Sequence, residues 1–222
     1  KINGFKRYHR FHPVMLTVDV ALSFFGIAVL LALSPGPDNL FVLMQSAMWG
    51  KNAGMAVVLG LCTGLIGHTV AVAVGLAAVF AASETAFLVL KLAGAAYLLY
   101  LAWGAFRAPV STAPETRPPA LSHWALYRRG IIMNLTNPKV SLFFLAFLPQ
   151  FTSPMRGSVA LQTISLGALF MLAAFLVFSA IALFSGFFSA HLQKSAFTQR
   201  LINRLSALVF AGLALRLLLS ER

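Results

Sequence analysis

Apolar residues run along this chain in six long stretches, with polar and charged residues concentrated in the gaps between them. The stretches extend from about Val18 to Met48, Gly54 to Ala82, Thr85 to Phe106, Gly130 to Leu148, Val159 to Phe188 and Leu201 to Leu219. About 20 apolar residues suffice to cross a bilayer as a helix, so the pattern predicts six transmembrane helices. Two of them are interrupted by proline, at Ser34-Pro35-Gly36-Pro37-Asp38-Asn39 and at Asn134-Leu135-Thr136-Asn137-Pro138-Lys139. A broken helix in hydrocarbon leaves backbone groups unpaired at roughly several kcal/mol each, so it is tolerated only where protein or a wet cavity satisfies those groups.

The breaks open the first and the fourth segment, which divides the chain into three helices plus three. An odd number per half turns the second half upside down relative to the first, the inverted-repeat arrangement in which paired broken helices mark a substrate site. The expected fold is therefore an all-α integral membrane protein of six helices in two inverted repeats. A basic extension covers 1–14, and a single transporter domain covers 15–220. That domain comprises repeat one over 15–107, a linker over 108–127 and repeat two over 128–220. The linker assignment rests on the run Ala-Pro-Val-Ser-Thr-Ala-Pro-Glu-Thr-Arg-Pro-Pro that begins at Ala108.

Composition agrees with the pattern. Of 222 residues 59% are hydrophobic and only 10% charged, with a mean hydropathy of +0.85, whereas soluble domains carry about 25% charged residues. The net charge of +12 would suggest nucleic acid in a soluble protein, but the basic residues cluster at segment ends, with no basic patch interleaved with aromatics. Membrane topology and anionic headgroups explain them, and a nucleic-acid partner is not expected. With the N-terminal extension set aside, Lys51, Arg107, Arg117, Arg128, Arg129, Lys194, Arg200 and Arg204 put the connections after helices one, three and five in the cytoplasm and both termini outside. The start, with Lys1, Lys6, Arg7 and Arg10 before an apolar run, imitates a secretory signal; the apolar run continues past the break, so the segment reads as a retained helix. The single cysteine, Cys62, excludes an intrachain disulfide and reads as a packing residue.

Pro37 and Pro138 suit the first position of a resumed helix, where proline has no N–H to lose. Each resumed half-helix covers about half of a 30 Å hydrocarbon core, so its N-terminus points at the midplane and favours a carboxylate. Aligning the halves on the two prolines makes Asp38 and Lys139 equivalent in position and opposite in charge. Asp38 suits a helix N-terminus and Lys139 does not. Two readings of the pair stay open: a site for a zwitterionic amino acid, or a structural ion pair locking the halves. The candidate substrate-binding residues are Pro35, Gly36, Pro37, Asp38 and Asn39 from one break, and Asn134, Asn137, Pro138 and Lys139 from the other. The asparagines could equally be helix caps. Asp38, His68 and Lys91 are candidates for a proton or substrate relay. His68 could also be a packing residue, and Lys91 could snorkel to the interface. Gly60, Gly64, Gly67 and Gly75 partly follow the small-xxx-small spacing of close helix contacts, and Trp49, Tyr97, Tyr100, Trp103 and Trp124 read as interfacial anchors. The chain carries no H-E-x-x-H, G-x-S-x-G or P-loop pattern, so neither an enzyme nor a cofactor is expected, and its few His and carboxylate residues suggest no metal cage.

With Leu33-Ser34-Pro35-Gly36-Pro37-Asp38-Asn39-Leu40, the glycine-rich second helix with His68, Gly94-Ala95-Ala96-Tyr97-Leu98-Leu99-Tyr100-Leu101, Arg129-Gly130, Asn134-Leu135-Thr136-Asn137-Pro138-Lys139 and Phe147-Leu148-Pro149-Gln150-Phe151, the chain resembles the LysE/RhtB family of bacterial amino-acid exporters over about residues 18 to 220. The resemblance implies a multi-pass protein of the bacterial inner membrane that exports amino acids or close derivatives, driven by proton exchange. Pro37-Asp38-Asn39 and Pro138-Lys139 look more like the homoserine/threonine branch than the lysine and arginine exporters, which implies a neutral amino acid. The implied partners are the amino acid, protons and the lipid bilayer; a homodimer stays open. The basic extension departs from the family pattern. Export of another small solute or a metal ion on the same fold is the alternative, followed by a membrane-embedded assembly factor.

Overall fold

A computed structural model describes residues 16–82, 84–108, 120–186 and 196–219. The basic extension 1–14 and most of the predicted linker, including Arg117, lie outside the described residues, as does Lys194. The described residues are helical, with no strand among them. Helices α1 (Val18–Leu33) and α2 (Pro37–Trp49) form one bent pair, followed by α3 (Lys51–Ala82) and α4 (Glu84–Arg107). Helices α5 (His123–Leu135) and α6 (Pro138–Leu142) form the second bent pair, and α7 (Val159–Leu183) and α8 (Ala196–Leu219) follow.

Both expected breaks are present. The axis turns by 60° between α1 and α2, and by 46° between α5 and the segment Pro138–Phe151. Three helical stretches, Lys51–Gly75, Val159–Leu183 and Phe197–Leu219, are long and apolar enough to cross a membrane alone, and the two bent pairs raise the number of spans to as many as five among the described residues. The remaining predicted segment corresponds to α4, whose 24 residues reach about 36 Å at 1.5 Å per residue.

Two elements differ in detail from the sequence expectation. Helix α5 begins at His123 rather than near Gly130, because the Ser122 hydroxyl caps it, accepting from the Ala125 amide at 3.2 Å. The second resumed helix is α-helical only over Pro138–Leu142, then widens to a π turn over Phe143–Phe147 and tightens to a 3₁₀ turn over Leu148–Phe151. Pro149 accounts for this. It has no N–H to give the carbonyl of Leu145 four residues earlier, and its ring crowds that carbonyl, so the α pattern cannot continue.

Small residues set the packing. On α3, Gly60, Gly64 and Gly67 face α5. A Cβ at Gly60 would collide with the Tyr127 carbonyl, one at Gly64 would lie 2.7 Å from the Asn134 side chain, and one at Gly67 2.9 Å from Leu135. Gly130 makes the reciprocal approach, with its virtual Cβ 2.6 Å from the Val57 carbonyl. The backbones therefore touch, which places Asn134 directly against α3. Gly75, by contrast, faces open space. Glycine at 167 lets α7 approach Thr69 of α3 in the same way, and Gly94 lets α4 approach Ala146 of the π turn. Beneath the breaks, Phe24, Phe143, Phe147, Phe151 and Phe170 pack ring against ring, with centroids 5.0 Å apart for Phe143–Phe147 and 5.1 Å for both Phe24–Phe151 and Phe143–Phe170.

Candidate functional site

Each break frees carbonyls because of where its prolines stand. In an α-helix the carbonyl of residue i is taken by the N–H of residue i+4. Pro35 and Pro37 withhold that N–H from Leu31 and Leu33, and Pro138 withholds it from Asn134. Side chains from other parts of the fold supply replacements. The Lys139 ammonium donates to the carbonyls of Ser34 at 3.0 Å and Leu31 at 3.3 Å. The Asn39 amide donates to the Ala32 carbonyl at 2.6 Å. At the other break, His68 Nε2 lies 3.1 Å from the Asn134 carbonyl, a bond that requires the proton on Nε2. The backbone N–H of Asn137 shares that carbonyl at 3.0 Å.

Lys139 is thus explained by the opposite half of the molecule. A lysine is misplaced at the N-terminus of its own helix α6, but its side chain reaches the C-terminal end of α1, where freed carbonyls and the macrodipole both favour a cation. Its ammonium bonds those carbonyls, while Oδ1 of Asp38 has no hydrogen-bond partner. Gly36 completes the fit, since a Cβ there would sit 3.1 Å from the ammonium nitrogen.

The two half-helix N-termini are not alike. Asn137 caps α6, its Oδ1 accepting from the Lys139 amide at 3.0 Å. Helix α2 starts after Gly36 with no side-chain cap for its first amides. Asp38, 2% exposed, stands at that N-terminus. Buried polar atoms without partners gather here: Ser34 Oγ, Asp38 Oδ1, Asn39 Oδ1, Asn134 Oδ1 and Asn137 Nδ2. All but one of them are able to accept a hydrogen bond.

Between the breaks lies a small cavity. Asp38, Asn134 and Lys139 form its polar wall, and Leu65, Phe170, Ala174 and Phe178 contribute most of the apolar one. Its free volume of about 10 Å³ is at the threshold for one water molecule, too small for an amino acid. Of the residues the sequence singles out, Asp38, Asn134 and Lys139 line this space together. Asn39 and Asn137 flank it as helix-end partners, and Gly36 seats the lysine. His68 stands behind Asn134 with its ring 5.6 Å from that of Phe144, outside the cavity wall. Lys91, half-buried on α4, is not among the lining residues. The apolar lining residues of α3 and α7 were not foreseen. Among the described residues, no three His, Cys, Asp or Glu side chains come together.

The model of the LysE type translocators matches residues 17–221. The chain belongs to that family. Relatives agree with this LysE type translocator assignment. The homoserine/homoserine lactone efflux protein of Salmonella typhimurium is 37% identical over 145 residues, 65% of this chain and 70% of that protein. An uncharacterized membrane protein of Vibrio cholerae is 34% identical over 141 residues, 64% of this chain and 69% of its own length. The uncharacterized membrane protein YrhP of Bacillus subtilis is 28% identical over 204 residues, 88% of this chain and 96% of that protein. No solved structure matches. The translocator is a multi-pass protein of the bacterial inner membrane, and its family is one of transporters rather than enzymes.

Proposed function

We propose that this translocator exports a small neutral amino acid, of the homoserine or threonine type, in exchange for protons. The observation that carries the reading is the small cavity whose polar wall holds one carboxylate, Asp38, and one ammonium, Lys139. A zwitterion matches that wall charge for charge. Its ammonium goes to Asp38 and the free acceptor Asn134 Oδ1, and its carboxylate to the uncapped amides of α2 and to Lys139. A second cationic group on the substrate would find no second carboxylate in the wall, and burying an unpaired charge costs several kcal/mol, roughly, even after relaxation.

Exchange follows from the single carboxylate. To cross the membrane, Asp38 needs a cationic partner or a proton, since an unpaired buried charge is too costly. Substrate ammonium neutralises it on the way out, and a proton neutralises it on the return. His68, bonded to the Asn134 carbonyl, is the candidate to pass that proton. Six spans in two inverted halves suit this cycle. The packing pairs support that arrangement, since α3 on α5 is matched by α7 on α1, while α3 on α7 and α4 on α8 join equivalent helices of the two halves.

The test is counterflow in proteoliposomes with individual amino acids, followed by release of the preferred one under an imposed pH gradient. Homoserine or threonine should exchange, and an acidic exterior should speed release of a preloaded lumen. Release indifferent to the gradient removes the proton from the cycle. Absence of counterflow with every amino acid removes the substrate class.

A further inference from the structure

The α1 C-terminus has the chemistry of a cation site. Pro35 strips the Leu31 carbonyl of its helical donor, the Ser34 carbonyl stands at the 60° turn of the chain and accepts from the same ammonium, and the negative end of the α1 dipole lies on the same spot. Carbonyl oxygens at a half-helix C-terminus, with a carboxylate nearby, are the hard ligands that small monovalent cations take in transporters built on broken helices. Here the position is filled from within the chain. The Lys139 ammonium sits on both carbonyls, its residue 6% exposed, with Gly36 closed against it and the unpartnered, buried Ser34 Oγ and Asp38 Oδ1 belonging to the same polar cluster.

We propose that the carbonyls of Leu31 and Ser34 form a monovalent-cation site that the translocator occupies with its own tethered cation, Lys139. The lysine stands where a mobile alkali or ammonium ion would otherwise be needed to hold the first break closed. The native protein is accordingly independent of the inorganic cations around it. A variant that vacates the site without filling it becomes dependent on them. This inference does not depend on which solute is exported, and its test measures no transport.

The experiment is thermal unfolding of purified full-length protein in detergent at constant ionic strength. Choline chloride, whose cation is too large for the site, is replaced stepwise by sodium, potassium or methylammonium chloride. Native protein should unfold at one temperature throughout. Lys139→Ala, which leaves an empty space, should unfold several degrees lower in choline and recover in a saturable way with at least one small cation. Lys139→Met, whose thioether arm fills the space without charge, should be destabilised and not recover. A folded Lys139→Ala protein indifferent to all three small cations overturns the proposal, as does an equal recovery by Lys139→Met. Failure of Lys139→Ala to fold in any of the salts overturns it too, because a bound cation would then have replaced the lysine.

Discussion

On the proposed function, Asp38→Asn should yield a folded protein that no longer moves homoserine or threonine. The substitution keeps shape and volume and leaves the bonds of Lys139 to the Leu31 and Ser34 carbonyls in place, so the unfolding temperature should stay close to that of the native protein. Transport should not survive. The variant offers the substrate ammonium a neutral amide in a buried wall, and removing one partner of a buried charge pair costs about 3–5 kcal/mol. At about 1.4 kcal/mol per factor of ten, the weakening is at least on the order of 100-fold. Counterflow in proteoliposomes, set against a thermal unfolding curve of the same preparation, checks both halves of the prediction. Native-like exchange by this variant removes Asp38 from the site.

Lys139→Met behaves differently because Lys139 has two tasks. Its ammonium closes the first break as well as facing the cavity, so its loss leaves the Leu31 and Ser34 carbonyls without their donor. An unsatisfied buried carbonyl costs about 1–3 kcal/mol. With roughly 2–4 °C per kcal/mol for a chain of this size, the unfolding temperature should fall by on the order of 10 °C. Export should be lost as well, since the wall then lacks the cation that would meet the substrate carboxylate. The contrast between the two variants is diagnostic. Asp38→Asn separates function from stability, whereas Lys139→Met lowers both. Equal unfolding temperatures for native protein and Lys139→Met contradict the role of the lysine at the α1 end.

Much of this arrangement is legible in the sequence. Prolines inside apolar runs announce the two breaks, and charges at Asp38 and Lys139 within those runs mark where they meet. The i+4 rule even names which carbonyls lack donors, Leu31 by Pro35 and Asn134 by Pro138. The donors that rescue them are not legible. Lys139 lies 108 residues from Leu31 along the chain, and His68 lies 66 residues from Asn134, so only folding brings either pair together. Considered on its own helix, Lys139 looks misplaced; across the halves it is at a favoured helix end.

The apolar wall was hidden for a different reason. Helices α3 and α7 are apolar on nearly every face, as helices in lipid are, so no amphipathic stripe singles out Leu65, Phe170, Ala174 and Phe178. Local backbone detail was lost where a feature of one segment masked another. Arg128 and Arg129 interrupt apolar character and hide the start of α5 at His123, and Pro149 converts an expected regular half-helix into a π turn followed by a 3₁₀ turn. The cavity itself has about the volume of one water, so on the proposed function the halves must part before an amino acid enters.

That parting gives the most direct test of the cavity as the transport site. Cys62 is the single cysteine, so Cys62→Ala followed by Ala174→Cys places one thiol in the cavity wall. A small thiol reagent should label it only while the cavity is open, and saturating homoserine or threonine should slow labelling at the concentrations that drive counterflow. Labelling at an unchanged rate, in protein that still exchanges the same amino acid, would place the transport path elsewhere.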